Sequence, residues 1–198
     1  MYKRILTLVL VLVSCVLTGC STPTSGLKAY VDSLDGYEFL YPNGWLPVEV
    51  SSGADVVFRD LIQTTENVSV VVSPLTQGKT LAELGSPKDL GERLAKRVIA
   101  PPESGRQAEL ISAEQREVGG QSYYNLEYVI NLPTQVSSPA ASPAPNPTPN
   151  SSIYQRHTLT SVAVSRGKLY TLSVSAPENR WAKVQKQFDI VTQSFTVY

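Results

Sequence analysis

The sequence predicts an α+β domain, a central antiparallel sheet with helices on both of its faces. Three observations carry this. Residues 153–165 and 168–176 are rich in Thr, Val, Leu and Tyr, the composition of strands, and Arg166-Gly167 between them is the short glycine-containing gap that turns a β-hairpin. Residues 108–118 and 122–132 repeat the pattern about Gly119-Gly120. Trp181, Val184, Phe188, Val191 and Phe195 then recur every three or four positions, which lays one apolar stripe along a C-terminal helix that begins near Pro177. A hairpin-rich sheet and a one-faced helix bury their apolar surfaces only by stacking in layers.

The N-terminus is an address. Lys3-Arg4 precedes an apolar run over 5–17, which matches an export signal and is too short for a comfortable membrane span. It ends in Leu17-Thr18-Gly19-Cys20, which resembles the lipobox of bacterial lipoproteins. That resemblance implies removal of residues 1–19 and a lipid-modified Cys20, with several acyl chains holding the protein at a membrane. Residues 20–34 then read as a lipidated tether and 35–198 as one domain.

Within that domain Tyr37-Glu38-Phe39-Leu40-Tyr41 reads as a strand, closed by the turn Pro42-Asn43-Gly44, with Trp45 as a core-edge residue. Val48-Glu49-Val50 and Asp55-Val56-Val57-Phe58 read as short strands. Val68, Val70, Val71 and Val72 occupy both parities, which places their strand in the sheet interior. Ser86 caps a helix with Pro87 in its first turn and Asp89 at its positive end, and Leu90, Leu94 and Val98 form its stripe until Pro101-Pro102 stops it. Residues 139–150, PAASPAPNPTPN, form a flexible Pro-rich loop within about 135–152, between two strands.

Composition excludes several function classes. The precursor balances 17 basic against 17 acidic residues, and loss of Lys3 and Arg4 leaves 15 against 17. A mildly acidic chain lacks the basic surface that nucleic-acid binding needs. Cys15 and Cys20, the two cysteines, both lie in the leader region, so the folded part has neither a disulfide nor a catalytic thiolate. There is no GxSxG elbow and no HExxH, and one histidine serves the whole chain. The expectation is a protein that is not an enzyme.

The hairpin about Arg166-Gly167 makes one chemical inference available. If Ser165 faces Lys168, His157 faces Ala176, and Glu178 lies two residues further on the same side, at the roughly 7–8 Å of a diagonal pair. The lone histidine is therefore set near the acidic residue that opens the last helix.

Several segments now resemble one family, the PsbP proteins: Asp35-Gly36-Tyr37 with Phe39, Pro42 and Trp45; Asp55-Val56-Val57-Phe58-Arg59-Asp60; Asn67-Val68-Ser69-Val70; Gly85-Ser86-Pro87; Gly120-Gln121-Ser122-Tyr123-Tyr124; and, most closely, His157, Gly167-Lys168-Leu169-Tyr170, Arg180-Trp181 and Ser194-Phe195. With a lipobox in front, the chain looks like the family's cyanobacterial lipoprotein members. The resemblance implies an α/β/α sandwich of the PsbP-like and Mog1-like kind. It implies an extrinsic, monomeric protein, lipid-anchored on the lumenal side of the thylakoid membrane, which contacts photosystem II subunits or assembly intermediates as an assembly or accessory factor of the oxygen-evolving complex. The family is linked to calcium and chloride retention, and it has been associated with divalent metals at a histidine and an acidic residue. Those positions are His157 and Glu178 here, with Glu where the plant pattern has Asp. Imidazole and carboxylate suit Zn or Mn, bound weakly, and no cofactor is required. Alternatively Glu178 serves the helix N-terminus and pairs with His157, or the whole chain is a free-standing metal-delivery lipoprotein. The loops at 55–66 and an exposed sheet edge offer a docking surface.

Overall fold

A two-residue turn fixes the register of the strands it joins, and the fold grows from that hairpin. The computed structural model describes residues 26–50, 53–76, 78–133 and 154–198, so the leader, Cys20 and the Pro-rich stretch lie outside the described residues. In chain order the strands are β1 (Leu27–Asp32), β2 (Tyr37–Pro42), β3 (Leu46–Pro47), β4 (Val56–Arg59), β5 (Asn67–Pro74), β6 (Gln107–Val118), β7 (Gln121–Leu132), β8 (Tyr154–Ser165), β9 (Lys168–Pro177) and β10 (Thr196–Val197). The helices are α1 (Pro87–Leu94) and α2 (Glu178–Ser194). Ser165 pairs with Lys168 and His157 with Ala176. Arg166 and Gly167 take φ values of 49° and 70°, the left-handed pair that this turn requires.

A seven-stranded sheet runs in the order β3-β4-β5-β9-β8-β7-β6, with every neighbouring pair antiparallel. Strand alternation sends Tyr123, Ala163, Tyr170, Leu172, Val174 and Ala176 to one face, where the α2 stripe covers them. Tyr124, Leu126, Tyr128, Ile130 and Val162 go to the other, under Leu81, Leu90 and Ala95. Helices therefore pack on both faces. α1 starts where its capping box predicts: Asp89 N donates to Ser86 Oγ at 3.2 Å, and Ser86 N donates to Asp89 Oδ2 at 3.1 Å. A Cβ at Gly91 would stand 2.9 Å from Leu110 Cδ2, so the bare glycine is what lets α1 approach the sheet. Tyr128 donates its hydroxyl hydrogen to Gly91 O at 3.1 Å across that contact.

Four expectations are corrected. The stretch read as tether, 20–34, contributes β1, and all six β1 residues pair with β2. The sequence predicts one sheet, and the structure has a second, β1-β2-β10. Val48-Glu49-Val50 is not a strand, and β3 ends at Pro47, which has no N–H for a ladder. The Leu90, Leu94, Val98 stripe breaks, because residues 95–99 wind as a π-turn. The extra residue per turn shifts the phase, and Val98 ends 67 % exposed. β5 is interior between β4 and β9, as its valines predict, but only Val68 and Val70 are fully buried.

Candidate functional site

The first turn of α2 and the middle strands of the large sheet meet at His157. Its imidazole projects from β8 on the α2 face. Glu178, the first residue of α2, approaches Nε2 closely enough for a direct ion pair. Residues three apart on a helix share a face, and Trp181 uses that spacing to stack on the imidazole, with centroids 4.6 Å apart and planes at 21°. The sequence-derived pair is thus in contact.

A third residue joins them. Val129 on β7 pairs with His157, so Glu127, two residues away, lies diagonally on the same face. Its Oε1 stands 3.5 Å from Nδ1, which is buried and makes no hydrogen bond. Behind Glu127, burial and the Glu127 charge push the Asp189 carboxyl above the ordinary range. Counting along the chain does not reach Glu127, because a 21-residue connection between β7 and β8 specifies no hairpin register.

A carboxylate faces each ring nitrogen. A neutral imidazole has one N–H donor and one acceptor nitrogen, so a metal ion at Nε2 would leave the proton on Nδ1, on the Glu127 side. A carboxylate behind the non-coordinating nitrogen is the arrangement that orients metal-binding histidines. Glu127 stands on that side, 3.5 Å from Nδ1 but without a hydrogen bond to it, and Nε2 with the 52 % exposed Glu178 side chain forms the open side. The donor set fits a divalent ion with water in its remaining positions.

A polar network braces the site from the loop at 60–66. Glu66, 3 % exposed, accepts from Arg180 Nε at 2.7 Å. Arg156, beside His157, donates from Nη2 to Thr65 O at 2.5 Å and to Ser175 Oγ at 2.6 Å. Asp60 Oδ2 accepts the Trp45 indole N–H at 3.0 Å, while Oδ1 accepts the amides of Ile62 at 2.6 Å and Gln63 at 2.8 Å. Burial opposes the Asp60 charge, but these donors and Arg180 outweigh it and hold the carboxyl below its ordinary range. A depressed folded value gives stability that is complete above about pH 4 and is lost as pH falls through the folded value. We therefore expect Asp60→Asn to lose about 1 kcal/mol at neutral pH, the difference between charged and neutral hydrogen bonds. Urea unfolding from pH 7 to pH 3 should show wild type and variant converging below about pH 4. A gap that persists into acid would assign the loss to packing.

A second acidic group, Asp32, Asp35 and Asp55, has ligand oxygens within 4.8 Å of one another. Its charges are already engaged. Lys168 Nζ donates to Asp35 Oδ1 at 2.5 Å, Tyr37 donates to Asp55, and Tyr30 donates to Asp32 at 3.4 Å. Burial, with Asp55 second, drives the Tyr37 hydroxyl far above its ordinary value, so it stays a donor.

Residues 25–197 match the PsbP family model. Over 198 residues the chain is 51 % identical to CyanoP of Thermosynechococcus vestitus, covering 100 % of each chain. The solution structure of CyanoP from Synechocystis sp. PCC 6803 superposes with a TM-score of 0.69 at 44 % identity, over 92 % of this chain and 99 % of that one. The Ran-binding protein Mog1p of Saccharomyces cerevisiae superposes with a TM-score of 0.51 at 11 % identity, over 86 % of this chain and 95 % of that one, a likeness of fold alone. Both neighbours agree with the expected sandwich about an antiparallel sheet.

Proposed function

Because this chain belongs to the PsbP family, we propose that it acts by contact and not by turnover, as an extrinsic accessory or assembly factor of photosystem II on the lumenal side of the thylakoid membrane. The observation that carries the reading is the 51 % identity to a CyanoP protein along the whole of both chains. The anchor is lipid on Cys20. Among the described residues no helix is long and apolar enough to cross a membrane. Affinity isolation of the tagged chain from detergent-solubilised membranes tests the partner: photosystem II subunits or assembly intermediates are expected, and their absence beside some other complex overturns the reading. Cys20→Ala should abolish fatty-acid labelling and move the protein to the soluble fraction.

The Glu127–His157–Glu178 geometry favours one further property. His157 and Glu178 hold Zn or Mn weakly, with Glu127 fixing the imidazole from behind. Zinc titration should show His157→Ala losing binding altogether and Glu127→Gln weakening it about 10-fold to 100-fold, the usual effect of removing an orienting partner. Equal zinc affinity in wild type and His157→Ala removes the metal from the site and leaves an ion pair.

A further inference from the structure

Three aliphatic side chains stand in solvent at one end of the molecule. Ile62 is 86 % exposed, Leu61 65 % and Leu46 48 %. They are neighbours. Leu46 pairs with Arg59 across β3 and β4, and Leu61 follows two residues later, so the Leu46 and Leu61 α-carbons lie within roughly 12 Å. The loop that carries them is braced. Asp60 takes two of its amides, Glu66 N donates to Gln63 O at 2.7 Å, and Arg156 and Arg180 hold Thr65 and Glu66. Glu66 is buried beneath the loop and Asp60 is partly buried, while Leu61 and Ile62 stand outward. Adjacent exposed aliphatics on a braced loop mark a contact surface.

The described chain begins beside this patch. Asn43 N donates to Gly26 O at 2.8 Å, and Trp45 N donates to Pro42 O at 3.3 Å, one residue before Leu46. Five residues lie between Cys20 and Gly26, and the six Cα–Cα steps they span reach about 20 Å at most. Lipid on Cys20 therefore keeps the Gly26 end close to the bilayer, at high effective concentration. The far end of β1 provides a contrast. Leu34 is 90 % exposed, but it lies between Asp32 and Asp35, with Asp55 close by. Leu46 shares its sheet face with the exposed Arg59. An anionic lipid surface attracts the second setting and repels the first.

We propose that Leu46, Leu61 and Ile62 insert into the interfacial layer of the lipid bilayer and set the orientation of the anchored domain, with Arg59 at the headgroups. This rests on the lipid-anchor reading of Cys20. It points the acidic turn at Asp32 and Asp35 away from the membrane.

The full lipidated chain tests it. Cleavage removes Cys15 and lipid occupies Cys20, so an introduced cysteine is the single free thiol. Ile62→Cys and Leu34→Cys are each labelled with an environment-sensitive dye and bound to phosphatidylcholine–phosphatidylglycerol vesicles containing doxyl lipid. Dye at 62 should be quenched several-fold more than dye at 34, and adding Leu61→Glu should abolish the difference without releasing the protein from the vesicles. Equal quenching at the two positions overturns the proposal. So does dye at 62 that is wet on protein-free vesicles yet shielded in native membranes, since a protein then covers the patch. If the wild-type chain fails to float with vesicles, the anchor is lost and the proposal with it. Flotation with a wet dye at 62 removes the orientation alone.

Discussion

Replacing Phe188 by alanine is expected to cost about 3–5 kcal/mol, the range for truncating a buried aromatic residue. Phe188 is fully buried at the middle of α2. Its ring meets Trp45 edge-on at 5.8 Å and Trp181 at 6.2 Å. It thus joins three separate parts of the chain: the segment after β2, the helix, and through Trp181 the imidazole of His157. No neighbour is placed to fill the space, because Trp45 is held by Asp60 and Trp181 by its stack on His157. Urea unfolding should show the full loss in midpoint. Zinc affinity should fall with it even under conditions where the variant stays folded, as Trp181 loses its backing. A loss below about 1 kcal/mol would mean that α2 is not seated on the sheet as described.

Arg180→Ala is the second large effect, and its interest lies in an asymmetry. A buried charge deprived of its partner costs on the order of 3–5 kcal/mol, because it can neither reach water nor find a replacement. That penalty falls on Glu66, which is 3 % exposed, whereas the arginine side chain is 30 % exposed and turns to solvent when its partner goes. Arg180→Ala should therefore destabilise more than Glu66→Gln, although arginine is the more exposed member. Hydrogen exchange should locate the loosening in residues 60–66. The opposite order of destabilisation would show that Glu66 reaches solvent.

The part of the site legible in the sequence is the part set by a two-residue turn. Arg166-Gly167 leaves one plausible register for β8 and β9, and from it the neighbourhood of His157 and Glu178 follows by counting. Glu127 lies the same diagonal distance away on the other side, yet its strand is joined through residues 133–153, which impose no register. The Glu66–Arg180 contact spans 114 positions and obeys no local period. β1 is hard to see in the sequence because an edge strand needs only one apolar face, and Leu27 to Asp32 alternates weakly. The π-turn at 95–99 leaves no mark in composition, so Val98 reads in the sequence as the next residue of the α1 stripe.

The place of β2 between β1 and β10 has a consequence for how the molecule comes into being. Glu38 and Tyr37 pair with Thr196 and Val197, across nearly the whole polypeptide. Until that last segment emerges, the Tyr37 and Phe39 rings wait without Phe195 and α2 to cover them. Contacts of such sequence separation form slowly, so a ribosome or a translocation pore delivers most of this chain before it can close.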